Sequence, residues 1–240
     1  MSQQKLRSDL KIRIAEYLRA QGIDGEGSIT GERLSDEMAE VVLHDCLDWV
    51  PAGVEESEQQ FDFLIGFAFG HRFHRNGNRS PGPINRRLAE LLKTKYDAHD
   101  PGNRPQVWAQ WEIAEYLKGT NVEIEGNLNP VYPDISARFD NVSYASTVTV
   151  TKKIRSTLEA GDKPTALVVA HPDHSRRCLR IVEGFDFKAH ALDHMGEAIE
   201  DWYDGESGQM WTRSRRLYLL HDMLASLSHS KDEATDEWDR

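Results

Sequence analysis

Cysteine is nearly absent from this chain. There are two in 240 residues, Cys46 and Cys178. Two thiols build neither a disulfide framework nor a four-thiolate zinc site, so both are expected reduced. Long apolar runs are missing as well: no stretch approaches the roughly 18 residues that cross a bilayer. Lys5, Arg7, Asp9 and Lys11 have no apolar run behind them, which argues against a secretory signal. These absences point to a cytoplasmic protein without a membrane partner. Positive charge is in deficit, 29 Lys and Arg against 40 Asp and Glu, for a net charge of −11. Broad binding to duplex nucleic acid needs a basic face, so no nucleic-acid partner is expected.

What is present divides near residue 60. Leu6, Leu10, Ile14, Tyr17 and Leu18 recur at helical spacing, as do Leu34, Met38, Val41, Val42 and Leu47 before Pro51. Residues 1–55 therefore read as an N-terminal helical extension, joined through the acidic stretch Glu55–Glu58. Residues 61–228 read as the main domain, and 229–240 as a charged tail.

Within the main domain, Phe61–Phe69 and Thr165–Ala170 are apolar runs expected of strands buried on both faces. A Gly, Asn, Arg and Pro loop spans Gly70–Gly82, and Pro83 opens a helix with Ile84, Leu88, Leu91 and Leu92. A helix is expected from about Pro105 to Leu117. Trp108 and Trp111 sit in it as packing residues or as an aromatic wall for an adenine ring. A short strand is expected at Val122–Ile124, and a helix from an Asn141 cap to Ala160. A helix from Pro172 to Gly184, a short strand at 187–192 and a last helix from Trp211 to Leu227 complete the pattern. Strands alternating with helices imply an α/β fold. The expected form is a Rossmann-like, mostly parallel sheet of about four to five strands, flanked by helices.

In such a sheet ligands bind beyond the carboxyl ends of the strands, so the residues just after each strand carry the information. After the first strand, His71, Arg72, His74, Arg75, Arg79, Arg86 and Arg87 fall within seventeen residues that contain no acid. After the second come His171, Asp173, His174, Arg176 and Arg177. Guanidinium groups bind phosphate or carboxylate in a fork, and a helix N-terminus adds free N–H donors. One reading is a pocket for an anionic small molecule. The other is that these arginines solvate loops and pair with the surplus acids. The pairs His71/His74 and His171/His174, with Asp173, suit either a transition metal or ordinary hydrogen-bonding loops. No further carboxylate set accompanies them, so no metal is expected. Ser143, Ser146 and Thr147 either offer hydroxyls to a phosphate or ribose, or cap their helix. The glycine spacing matches neither the dinucleotide fingerprint nor a P-loop, and no nucleophile elbow is present.

Taken in order, these segments resemble the YdcF/SanA-like family, a Rossmann-like domain-of-unknown-function family, in its soluble branch. The resemblance runs through Phe61–Gly70 and the loop to Gly82, then Asn85-Arg-Arg-Leu-Ala89 and Trp111-Glu112-Ile-Ala114. It continues in Val142-Ser-Tyr-Ala-Ser-Thr147 and in Leu167-Val-Val-Ala-His-Pro-Asp-His174-Ser-Arg-Arg177, and ends in Trp211–Leu227. The family's second strand, with its Ser-Gly-Gly turn, is not legible between Tyr96 and Arg104. The resemblance implies a pocket lined by Gly70, Arg87, Glu112, Ser143, Thr147, His174 and Arg177. It also implies a nucleotide-like ligand such as S-adenosylmethionine. The charge argument adds His71, Arg72 and His171. Two alternatives stand beside simple binding. One is phosphoryl or glycosyl-phosphate chemistry, with His174 as general acid/base and an arginine cluster holding the anion. The other is an interaction module that recruits a partner through the N-terminal helices.

Overall fold

The computed structural model describes residues 60–118, 124, 126–133, 145–159, 161–192, 199–219 and 221–222. All of them fall within one compact unit, Val50–Asp222. The readings for the N-terminal extension, Val122, Asn141, Ser143 and the charged tail lie outside the described residues.

Strand β1 is Phe63–Gly66, buried at every position. A small hairpin follows, β2 (Arg72–Phe73) with β3 (Arg79–Ser80). Helix α1 (Pro83–Asp97) starts at its proline, and Ile84, Leu88, Ala89, Leu92 and Tyr96 form its buried stripe. Strand β4 (Gln106–Gln110) runs straight into α2 (Trp111–Leu117). Then come β5 (Leu128–Val131), α3 (Thr147–Arg155), β6 (Thr165–Val169), α4 (Pro172–Gly184) and β7 (Lys188–Ala191). The described chain closes with single 3-10 turns at Ile199–Trp202 and Met210–Thr212, and a helical stretch over 215–219.

The five long strands form one sheet in the order β5-β4-β1-β6-β7, with every pair parallel. Counted among themselves they run 3-2-1-4-5, the order of a dinucleotide-binding half-fold, and the order reverses between β1 and β6. The protein is thus an α/β, Rossmann-like fold. Helices α1 and α2 pack together, as do α3 and α4. Residues such as Leu64, Leu88, Leu92, Ile113 and Val169 are wholly buried. Each contributes about 1.5–3 kcal/mol by leaving water. Gly66 lets α1 come close: a Cβ there would stand 2.5 Å from a Leu92 methyl.

Four expectations are corrected. The first half of the expected 105–117 helix is strand β4. Val107, Trp108 and Ala109 are buried in the sheet centre, and no glycine or proline marks the change to helix at Trp111. Edge strand β5 lies at Leu128–Val131, in what reads as a polar loop, and Ile124 is not in a strand. Pro130 is tolerated there because one side of an edge strand needs no N–H. Helix α3 begins at Thr147 behind a Ser146 cap, whose hydroxyl accepts from the Thr149 N–H at 3.2 Å, and ends at Arg155 rather than Ala160. Likewise, the last helix begins near residue 215 rather than at Trp211. Among the described residues no helix is long and apolar enough to cross a membrane.

Candidate functional site

Buried polar side chains gather at one end of the sheet. His71, Asn85, Gln110, Glu112, Thr147, His171, His174, Ser175, Ser207, Thr212 and Asp222 are all buried. They lie on the segments that follow β1, β4, β5 and β6, or on the C-terminal stretch beyond residue 199. An open cleft at the opposite edge, about 680 Å³, lies among Phe61, Asp62, Arg104, Gln106, Lys163 and Pro164. None of these buried polar groups lines it, so the chemistry is at the carboxyl edge.

The chain leaving β1 carries polar backbone into the interior, where side chains must satisfy it. Gln110 Oε1 accepts the Ala68 N–H at 2.6 Å, and its amide donates to the Ala145 carbonyl. Asn85 Oδ1 accepts the Phe69 N–H at 2.8 Å, and its Nδ2 donates to Gly70 O at 2.7 Å and Pro81 O at 2.5 Å. Sequence reasoning missed both residues as organisers. The available signal was a polar residue, Asn85, on the apolar stripe of α1.

Gly70 adopts φ +73°, and a Cβ there would sit 2.7 Å from the hydroxyls of both Ser207 and Thr212. His71 follows, 4 % exposed, with its ring edge-on to Phe73 at 4.8 Å. Neither ring nitrogen of His71 has a hydrogen-bond partner. Burial, with Arg79 nearby, pushes its pKa below the ordinary histidine value. The His71 carbonyl accepts from the Gly208 N–H at 2.6 Å.

After β6, His171 caps α4. Its Nδ1 accepts the Asp173 N–H at 3.2 Å, so its proton sits on Nε2, which donates to the Trp202 carbonyl at 2.8 Å. The ring stacks on Phe69 at 3.7 Å. This contact joins the ends of β1 and β6, the juxtaposition expected from the two basic loops. His174 lies 6.4 Å from the Phe69 ring and 5.9 Å from Tyr218. Its Nδ1 has no hydrogen-bond partner. Burial, then Arg177, His171 and His221, hold its pKa well below the ordinary value, so it is neutral at pH 7.

The arginines find partners that sequence order hides. Arg72 makes a forked pair with Asp204, both contacts 2.8 Å, and also reaches Glu206 at 3.1 Å. Arg177 is paired with Asp222 at 2.6 Å and donates to the Tyr218 hydroxyl at 3.2 Å. Asp173 accepts from Tyr203 at 2.6 Å and from the fork of Arg215. The Arg87 guanidinium lies 4.1 Å over the Trp202 ring. Thr147 faces α4, hydrogen-bonded to the buried Cys178 thiol, whose pKa is driven up by burial. Glu112 is fully buried in the first turn of α2.

His71, Gly70 and Arg72 thus meet the 204–212 stretch, while His171, His174 and Arg177 meet Trp202, Tyr218 and Asp222. His74 is exposed and diverges from buried His71. Among the described residues no three His, Cys, Asp or Glu converge as metal ligands. The described residues of the 199–222 segment cover this edge; Trp202, Asp204 and Ser207 among them carried no legible motif, whereas Thr212, Tyr218 and Asp222 lie in the expected last helix. No family model, curated protein or solved structure matches the chain.

Proposed function

We propose that the protein binds a small nucleotide-like molecule, either an anionic nucleotide or S-adenosylmethionine with its carboxylate, at the carboxyl edge between β1 and β6. The observation that carries this is the concentration of buried polar groups at the one place where the strand order reverses. Buried polar atoms are ordinarily hydrogen-bonded. Both nitrogens of His71 and Nδ1 of His174 lack protein partners, which supports a ligand or water meeting them. Glu112 comes two residues after the second strand of the order, the region from which an acid accepts ribose hydroxyls in dinucleotide folds. Aromatic rings at Phe69, Tyr203 and Tyr218 supply apolar surface for a base. This donor and acceptor set fits an adenosine-bearing ligand, in keeping with the YdcF/SanA-like resemblance.

A second reading is phosphoryl or glycosyl-phosphate chemistry through His174. The depressed pKa of that imidazole favours a general base over a general acid. Melting curves with S-adenosylmethionine, nucleotides and sugar phosphates separate the two readings. Stabilisation by an adenosine ligand without turnover, lost in His71→Ala, supports binding. Release of phosphate, lost in His174→Gln, supports catalysis. No stabilisation by any of them refutes both.

A further inference from the structure

The arginines nearest the crevice are already committed within the fold. Arg72 holds Asp204 and Glu206, Arg177 holds Asp222, Arg86 holds Glu90, and Arg87 covers Trp202. Two cations in the acid-free stretch, Arg75 and Arg79, make no ion pair among the described residues. Both belong to the β2–β3 hairpin that rises from the end of β1. Every residue from Phe73 to Arg79 is exposed.

The hairpin is shaped for more than solvation. Phe73 pairs across it with Arg79, and the guanidinium lies 5.2 Å from the ring centroid. That ring remains 54 % exposed, although Phe61, Phe63, Phe67 and Phe69 before it are buried. Its base is fixed. Arg72 is forked onto Asp204, the Gly208 N–H reaches the His71 carbonyl, and Gly208 lies so close that a Cβ there would stand 2.3 Å from the Phe73 ring. The turn is tied by His74 N–H to Asn78 O at 2.8 Å and Gly77 N–H to His74 O at 2.9 Å. An exposed aromatic under an unpaired guanidinium, with a second guanidinium at the tip, is a stacking surface beside a phosphate site.

We infer that this hairpin holds the phosphate-bearing part of a nucleotide, with a base against Phe73 and Arg79 and phosphate on Arg75 and Arg79. The inference rests on the nucleotide reading of the crevice and adds to it where the anionic end of the ligand lies. The shared chemistry is a base flanked by phosphate, free or within a single strand. It needs only a short footprint, so the overall charge of −11, which opposes a duplex-wide contact, does not forbid it.

The test uses the full chain, with ATP and a single-stranded oligonucleotide of about ten residues as probes, titrated against wild type, Phe73→Ala and Arg75→Glu/Arg79→Glu. Each hairpin variant is expected to weaken binding about tenfold or more. Salt should weaken wild-type binding of the strand with a log–log slope near −0.7 per phosphate engaged, and the double variant should flatten it. Binding of ATP alone identifies a free nucleotide; binding of the strand alone identifies a nucleic-acid end. Melting shifts with S-adenosylmethionine should persist in Arg75→Glu alone, because Arg75 is exposed at the hairpin tip and touches no crevice residue. If that shift is missing in wild type while hairpin dependence holds, the crevice reading fails and the hairpin assignment stands. Equal binding by variants and wild type, no binding of either probe, or equal displacement by polyglutamate would overturn the hairpin assignment.

Discussion

Arg177 and Asp222 stand 2.6 Å apart across 45 residues of sequence, and the Tyr218 hydroxyl bridges them by donating to the same carboxylate oxygen at 2.9 Å. The arginine side chain is 16 % exposed and the aspartate 3 %. Removing one partner strands the other charge in the interior, which typically costs about 3–5 kcal/mol. Arg177→Ala should therefore lower stability by about that amount in urea titration, with Asp222→Ala similar. An apolar double replacement, Arg177→Met with Asp222→Leu, should recover much of it. A single-variant loss below about 1 kcal/mol would show a solvent-screened pair.

Gly70 and Gly77 both have positive φ, +73° and +82°, but only Gly70 is crowded. Alanine at Gly77 meets nothing within 4 Å and should cost about 1 kcal/mol from backbone strain alone. Alanine at Gly70 adds contacts at 2.7 Å with two buried hydroxyls and should cost clearly more, about 2–4 kcal/mol. Paired denaturation curves check the difference. Equal losses would mean that the 207–212 stretch yields freely.

Asn85 satisfies one buried N–H and two carbonyls around the turn after β1. Asn85→Leu, close in size, leaves these groups without partners. Each such group costs about 1–3 kcal/mol, so a loss of about 3 kcal/mol or more is expected. Asn85→Asp should not rescue it, since a carboxylate cannot donate to Gly70 and Pro81. Wild-type stability in Asn85→Leu would mean that water replaces the amide.

Acid should unfold the protein earlier than its carboxylates alone require. His174 has an ordinary value of 6.5 and lies well below it when folded, facing Arg177, His171, His221 and the rings of Phe69 and Tyr218. The unfolded chain binds a proton near pH 6.5 that the folded chain refuses. Stability is thus complete above that value and falls as the pH drops toward the folded value. Lowered values at His71, His190 and His221 act in the same sense. Asp204, held below the usual carboxylate range by its hydrogen bond to Arg72, adds a loss at lower pH. Melting temperature measured from pH 8 to 5 should decline, and His174→Phe should flatten part of that decline. An unchanged slope in the variant would place the effect at the other histidines.

Local pattern determined much of this protein by itself. The continuous apolar runs at β1 and β6, Pro83 and Pro172 at helix starts, and the 3.6-residue stripes of α1 and α4 specify their elements because each signal is short-range. Together with alternation they also specify a parallel sheet, and therefore which edge holds chemistry. Strand β4 escaped because its apolar residues continue without a break into the face of α2, so one helical period fits both. Edge strand β5 escaped because Leu-Asn-Pro-Val has little strand propensity and is held by its pairing with β4. The two basic loops were visible as charge, but their partners were not. Asp204 and Asp222 lie 132 and 45 residues from Arg72 and Arg177, and only the return of the 199–222 segment over the sheet edge brings them together. Charge placement is written along the chain, whereas neutralisation depends on distances of a few ångströms, which only the folded path sets. Among the described residues that path leaves Arg75 and Arg79 without an ion pair.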